Sequence, residues 1–528
     1  MADGDGKDGT TAPSLHASST PQQHLNSTIM PNDNNEQSAL LTLPSEILIH
    51  IFDLIDERNT LLNASNTCTR LRKFAQEHIY RDVLIRTGQA ARRMNRDLAN
   101  NPIRTRNIRR LAIRYLAEDQ DGIEDINPRI REMKHLRHLF IETPCCNDIQ
   151  WRPHLEGQRE WAEKGRIDVT DLFRNATLLR DPAHRSLAFL KSFTYHSHGL
   201  GNAKYAFPDH SVFHHPTLET IKLSCLDFTP DPSTTTTTTP NHTTSLRTLI
   251  FDECNISAPA LLTTLRLPRA LQTLTLGERK HHFHDSPIPL LASSLSTLLA
   301  ALALQSHALT SLSHDGGSPH IFDSAATPSS FRNALPSLHT LVIGPASFLH
   351  RYLQAEAHPP RLRALALSGI QTHHLEYLEQ ILERYLATWL PAPRFGSDTA
   401  MPTPMPYALD IHMRPTKDVD TIEDAVALLW RSPSRCLGTR SFGESMARRG
   451  CRVRVWASLW GNFIPPYMYG EQEPVEVVAY DSMAASARSG VGVGEEDVVE
   501  MEERERERES NGSNGSGGGG GEEGRWRM

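Results

Sequence analysis

The chain has 528 residues, a formal net charge of -7, and only 38% apolar and 7% aromatic residues beside 34 prolines and 31 glycines. That balance speaks against a chain folded along its whole length and gives no global reason to expect a polyanion or an anionic membrane as partner. Seven scattered cysteines, with no C-x-x-C pair, argue against a disulfide framework or a zinc site and fit a reducing compartment.

Residues 1–38 are rich in Ser, Thr, Asn, Asp, Gly and Gln and are predicted to be disordered, because they cannot bury enough surface to offset the entropy of ordering. They also lack the apolar run of a signal peptide. Pro44 then suits a first helical position, and Ile47, Leu48, Ile51, Phe52 and Ile55 recur at helical spacing. Asp56 to Asn59 break the pattern. Leu61, Leu62 and Ser65 predict a second short helix, and Thr67 or Thr69 is placed to cap a third carrying Leu71, Phe74, Ala75 and Ile79. Three short helices in about forty residues bury too little to be stable alone, so part of their apolar face is expected to be completed by another chain or by the rest of this one.

From Tyr80 a template recurs: an apolar residue, two variable, an apolar residue, one variable, an apolar residue. It appears at Tyr80/Val83/Ile85, Ile108/Leu111/Ile113, Leu136/Leu139/Ile141, Leu190/Phe193/Tyr195, Leu218/Ile221/Leu223 and Leu246/Leu249/Phe251. It continues at Leu271/Leu274/Leu276, Leu338/Leu341/Ile343 and Leu362/Leu365/Leu367, with a weaker copy at Leu309/Leu312/His314. The first residues are 28, 28, 54, 28, 28, 25, 38, 29 and 24 apart, which is self-similarity at one period. Each copy reads as a short strand that cannot bury its apolar residues alone, so neighbours stack into a parallel sheet.

The long steps mark insertions near 145–182, with Trp151 and Trp161, and near 278–305, with His281 to His284 and a helix carrying Leu291, Leu295, Leu298, Leu299 and Leu302. No run of about 20 uninterrupted apolar residues is present, so no membrane helix is predicted. Asp231-Pro-Ser and the threonines before Pro240 read as a solvated loop, while Ser257 with Pro259, Leu261, Leu262 and Leu265 reads as a capped helix. Leu375, Leu378, Leu382 and Leu386 keep helical spacing too. The repeat region is set at 80–395. Residues 396–482 are expected to be an irregular cap, with Tyr407 to Met413 and Arg452 to Trp456 as strands and Thr421 to Trp430 as a helix; 483–528 is a disordered tail.

Catalytic and metal signatures are weak. The histidines at 214–215, 281–284 and 373–374 are adjacent in sequence and therefore diverge on a helix or strand, and no H-E-x-x-H accompanies them. Gly490, Gly492 and Gly494 lie in the polar tail, outside the strand and helix that a nucleotide loop needs. No nucleophile elbow is present. We therefore expect no cofactor, no metal and no catalytic residue. Between Arg86 and Arg114 nine arginines face one acid, Asp97, which fits either phosphate binding or a solvated face whose arginine stems cover apolar surface. Between the buried positions of the strands, Arg110, Arg114, His138, Phe140, Glu142, Thr220, Lys222, Thr248, Ile250, Asp252, Thr273, Thr275, Thr340 and Val342 should line one face. Of these, Arg110, Arg114, His138, Phe140, Lys222, Thr248, Ile250 and Asp252 are the candidate target-binding residues, and Arg110 and Arg114 make an acidic or phosphorylated target conceivable.

Two resemblances follow from these residues. The segment 39–85, with Leu43-Pro44, Glu46-Ile47-Leu48, Ile51-Phe52, Leu61-Leu62, Ser65, Cys68 and Arg70-Leu71 in order, resembles an F-box. The template resembles a degenerate leucine-rich repeat of the kind found in fungal-type F-box proteins. Its fullest copy, Leu246, Leu249, Phe251, Cys254 and Ile256, follows L-x-x-L-x-L-x-x-N/C-x-L, though the other copies lack a regular Asn. The resemblance implies an α/β chain with a three-helix F-box, an irregular solenoid with a parallel sheet, and disordered termini. It also implies a non-catalytic substrate receptor of a Skp-cullin-F-box ubiquitin ligase, acting in cytoplasm or nucleus. By matching positions, Leu43, Pro44, Ile47, Leu48, Ile51, Phe52, Leu61, Leu62 and Leu71 would form or support the surface for the Skp-type adaptor, and through it cullin. The repeats would hold an unknown protein target. The alternatives are a scaffold that binds the adaptor without directing ubiquitination, and a nucleic-acid-binding protein using Arg86 to Arg114. Because Tyr80 lies one period before Ile108, the third helix is expected to feed directly into the first repeat strand and hold adaptor and target at a fixed geometry.

Overall fold

In the computed structural model the described residues are 39–143, 166–178, 186–197, 205–206, 210–228, 242–279, 286–318, 328–353, 359–370, 407–413, 447, 450–458 and 476–483. They fall into two compact units, Met1–Phe74 and Ala75–Met528, with the boundary inside a helix. Residues 1–38, all but Met483 of the tail set at 483–528, the threonine loop, Trp151, Trp161, His281 to His284 and the segments at 371–406 and 414–446 lie outside the described residues.

The first unit is helical: α1 (Ala39–Thr42), α2 (Ser45–Asp53), α3 (Arg58–Thr67) and the start of α4 (Thr69–Ile79). The one-turn α1 is additional to the three predicted helices. Pro44 sits at the N-cap of α2 rather than inside it, its carbonyl accepting from the Leu48 N–H at 3.1 Å. The cap of α4 is neither Thr67 nor Thr69 but Cys68. Its carbonyl accepts from Arg72 N–H at 3.0 Å and its sulfur from Leu71 N–H at 3.5 Å, and that backbone bond is the main cause of its lowered pKa. Arg70 donates to the carbonyls of Leu41 and Leu43, which fastens α4 to the turn between α1 and α2. The core is small: Leu48, Phe52, Leu61 and Leu71, with Phe52 stacked on Phe74 at 6.2 Å.

The second unit is built on strands β1 (Asp82–Ile85), β2 (Arg110–Arg114), β3 (His138–Glu142), β4 (Ser192–His196), β5 (Tyr205–Ala206), β6 (Thr220–Ser224), β7 (Leu226–Phe228) and β8 (Thr248–Asp252). After them come β9 (Asn255–Ile256), β10 (Thr273–Glu278), β11 (Ser311–Gly316), β12 (Thr340–Ile343), β13 (Ala364–Ile370), β14 (Tyr407–Met413), β15 (Cys451–Ser458) and β16 (Glu476–Asp481). Among the described residues they make a 13-stranded sheet in the order β1-β2-β3-β4-β6-β8-β10-β11-β12-β13-β14-β15-β16, and a small sheet β5-β7-β9 beside it. Every neighbouring pair in the large sheet is parallel except the last.

The register follows the template. Val83, Leu111, Leu139, Phe193, Ile221, Leu249, Leu274, Leu312, Leu341 and Leu365 share one row, and the row two residues on begins at Ile85 and runs through Phe251 to Leu367. Both rows are buried, because alternate residues of a strand face the same side and an apolar row is removed from water only by its neighbours. Phe251 anchors the centre, its ring 5.1 Å from Phe228 and 6.0 Å from Phe213. Cys254, at the Asn position of the motif, donates from its thiol to the Leu223 carbonyl of the preceding repeat at 3.3 Å. The residue just before each strand begins supplies a second link. The Arg81 carbonyl accepts from Arg109 and Arg110, that of Arg109 from Arg137 and His138, and that of Arg137 from Lys191 and Ser192, at 2.7 to 3.0 Å.

The returning segments are partly helical as expected. Ala258–Leu265 begins at Ser257, whose hydroxyl accepts from Ala260 N–H at 3.3 Å, and Leu295–Ala303 buries Leu295, Leu298, Leu299 and Leu302. No helix among the described residues is long and apolar enough to cross a membrane. Within 396–482 the sheet continues in register: Leu409 and Ile411 on β14 and Val453 and Val455 on β15 extend the two buried rows.

His350 predicts a pH dependence. Its ring is 4% exposed, Nε2 faces the Gly344 carbonyl at 2.9 Å, and burial, with His314 adding to it, lowers its pKa to about 4. The unfolded chain binds this proton near pH 6.5, so the stabilisation is complete above that value and is lost as pH falls toward 4, by on the order of 3 kcal/mol. Denaturant midpoints at pH 7 and pH 5 should therefore diverge in the wild type and converge in His350→Gln.

Candidate functional site

The helices of the first unit are too few to cover their own apolar residues, and the structure separates those that pack from those that do not. Leu48, Phe52, Leu61 and Leu71 are buried and form the support. Ile47 is 46% exposed and Leu62 39%, Pro44 is exposed, and Leu43 and Ile51 are half-buried. Leu40, Ile49 and Leu54, which the motif residues did not single out, are exposed as well, Leu54 at 83%. Leu40, Ile47, Ile49, Leu54 and Leu62 are thus half of the ten exposed large apolar residues among the described ones, packed into 23 positions. Single exposed leucines are ordinary; such a concentration on a unit with a four-residue core makes this segment a candidate docking surface.

The second candidate is the open face of the sheet. Register places Arg110 beside His138, Phe140 between Ala112 and Thr194, Lys222 beside Ile250, and Thr248 beside Thr220. Strand β4, which the candidate residues omit, stands between Phe140 and Lys222 and contributes Ser192 and Thr194, with His138 Nδ1 at 2.8 Å from Ser192 Oγ. The two arginines are compensated. Arg110 pairs with Asp82 at 3.6 Å, and Arg114 lies 3.6 Å from Glu142 and 4.1 Å over the Phe140 ring. Glu142 is 1% exposed and so belongs to the interior rather than to the surface. From β6 onward the half-exposed positions include Thr220, Lys222, Thr248, Ile250, Asp252, Thr273, Thr275, Ser311, Ser313, Thr340 and Val342, a mixed row in which hydroxyls prevail. At the far end, unread in the sequence, Arg454 makes two 2.6 Å bonds to Asp410, and Trp456 stacks on His412 at 5.8 Å.

A third cluster has the elements of a proton relay. His314 Nδ1 is 2.7 Å from Ser347 Oγ, and its Nε2 is 3.6 Å from Glu278 Oε2. All three residues are at most 2% exposed. Ser347 also accepts from Leu349 N–H at 3.2 Å and Glu278 from Leu291 N–H at 2.7 Å, so the cluster secures turns. It explains the weak template copy: His314 occupies an apolar row with its Nδ1 bonded to Ser347 and the Glu278 carboxylate 3.6 Å from its Nε2. His214 and His215 diverge as expected, His215 being buried against Phe173 at 5.9 Å. Among the described residues no group of three or more His, Cys, Asp or Glu is arranged to hold a metal ion.

Residues 40–86 match the family model described as F-box-like. That span takes in all four helices of the first unit and β1. No curated protein matches the chain.

Proposed function

We propose that this chain is the target-binding subunit of a Skp-cullin-F-box ubiquitin ligase, acting in the cytoplasm, the nucleus or both. Its F-box-like segment docks on the Skp-type adaptor. Its strand repeat, which we read as a degenerate leucine-rich-repeat solenoid, holds a protein target. The observation that carries this reading is the coincidence of the F-box-like match at 40–86 with the crowding of exposed aliphatic side chains from Leu40 to Leu62. In such an arrangement the subunit does no chemistry; it raises the local concentration of its target at the ubiquitin donor.

Affinity purification of the intact chain, together with proximity labelling with and without a proteasome inhibitor, tests the proposal. Adaptor and cullin should co-purify, and labelled targets should accumulate under the inhibitor. Adaptor without cullin would make the chain a scaffold, and absence of both would end the receptor reading. Salt-sensitive retention on nucleic acid with no adaptor would favour the polyanion alternative.

A further inference from the structure

Among the described residues, four of the nine arginines in the run have a carboxylate partner: Arg92 pairs with Asp125, Arg104 with Asp97, Arg110 with Asp82 and Arg114 with Glu142. Arg106, Arg109 and, beyond the run, Arg137 have no carboxylate partner among the described residues. Arg109 Nη1 donates instead to two backbone carbonyls, those of Arg106 at 3.1 Å and His135 at 3.5 Å. Arg109 and Arg137 immediately precede β2 and β3, and the 2.8 Å bond from Arg137 N–H to the Arg109 carbonyl sets them on adjacent strands, about 4.8 Å apart at the backbone. Arg109 Nη1 reaches the His135 carbonyl, and the charges of Arg106 and Arg137 also act on the His135 ring, so all three arginines serve the N-terminal rim of the sheet around His135.

An aromatic pair lies on the same rim. His135 and Phe189 each precede the first buried residue of their repeat, and their rings stack at 5.7 Å with 7° between planes. Phe189 is 55% exposed, whereas the other phenylalanines described in this unit are buried or half-buried. Burial, then the charges of Arg109, Arg106 and Arg137, lower the His135 pKa, so the imidazole stays neutral and the guanidinium groups alone carry the charge.

On the β4 side Lys191 is neutralised by Glu219 at 2.6 Å. On the β1 side Arg81, whose carbonyl accepts from the Arg109 N–H at 2.9 Å, continues the row, so that the basic residues span three strands, about 10 Å. Nucleic-acid affinity rests on many phosphate contacts along an extended track, and the chain's net charge of -7 repels a polyanion at a distance. Two or three carboxylates on an extended peptide suit the span better, since guanidinium pairs well with planar carboxylate and an exposed ring offers an apolar neighbour.

We propose that this rim binds an acidic peptide segment, its carboxylates meeting Arg106, Arg109 and Arg137 and a neighbouring apolar side chain covering Phe189. The inference rests on the reading that the repeat holds a protein target and names the chemistry of that target.

The test uses the intact purified chain against arrays of short peptides graded in Asp and Glu content around one Leu or Phe, with Asn and Gln counterparts and a single-stranded oligonucleotide as comparison. Acidic peptides should bind at least about tenfold more tightly than their amide counterparts and lose that preference as salt rises. Arg106→Glu with Arg137→Glu should abolish the preference, and Phe189→Ser should weaken binding about threefold or more. Should the reversal variant lose its fold, Arg106→Gln with Arg137→Gln repeats the measurement. Equal binding of acid and amide peptides, indifference to these substitutions, or preference for the oligonucleotide through the same residues would each overturn the proposal. Adaptor capture by the same variants should stay at the wild-type level; a wild-type chain that takes acidic peptides through the rim but no adaptor would remove the receptor reading and leave the peptide site standing.

Discussion

Ile47→Asp with Leu54→Asp should abolish capture of the Skp-type adaptor and leave the helices folded. Both side chains are already in water, at 46% and 83% exposure, so replacing them removes little from the core. Full burial of an aliphatic side chain at an interface contributes about 1.5–3 kcal/mol, and a carboxylate in its place adds a desolvation cost. Two such changes correspond to a loss of affinity of about 100-fold or more. Phe52→Ala makes the contrast: Phe52 is 3% exposed and stacked on Phe74, so its truncation costs about 3–5 kcal/mol and loses the adaptor by melting the unit. Circular dichroism and adaptor pull-down on the same samples separate the two. Wild-type capture by the double aspartate variant would move the docking surface elsewhere.

Phe251→Ala should produce the largest loss of stability in the sheet, about 3–5 kcal/mol. The ring is fully buried on β8 and meets Phe213 and Phe228 edge-on or tilted, so a cavity opens that the two remaining rigid rings cannot collapse to fill. Thr248→Ala, on the open face of the same strand, should stay within about 0.5 kcal/mol. Thermal melts of the two variants check this, with hydrogen exchange expected to rise first on β6, β8 and β10. Equal melting temperatures would mean that the aromatic cluster is not the keystone of this part of the sheet.

The sheet was legible because its signal is periodic. Strand rows recur at one spacing, and the two buried rows need only be stacked to give the register. Where the spacing changes, the pattern hides. Leu409 and Ile411, and Val453 and Val455, hold the same rows, but Pro406 and Gly450 occupy the position where the template requires an apolar residue. The docking helices were legible as a motif but not as a surface, since Ile47 and Leu48 are neighbours of like chemistry and only packing tells the exposed one from the buried one. Charge compensation was the least legible. The acids that neutralise Arg110 and Arg114 lie 28 residues away in sequence, one period, and become neighbours only through the parallel register. For the same reason the His135 and Phe189 stack, 54 residues apart, escapes any local reading.

In the large sheet each strand pairs with the next sheet strand along the chain, from β1 through β16. Contacts between consecutive elements carry a small loop-closure cost, and a growing array can add units at its end. The order of pairing is therefore also the order of synthesis. As the polypeptide leaves the ribosome, every new strand meets an edge that is already in place, and the antiparallel β16 covers the edge of β15 only once residues 476–481 have been made. A ribosome stalled before residue 476 would hold a nascent sheet whose final parallel edge is still open, a species for chaperones to shield.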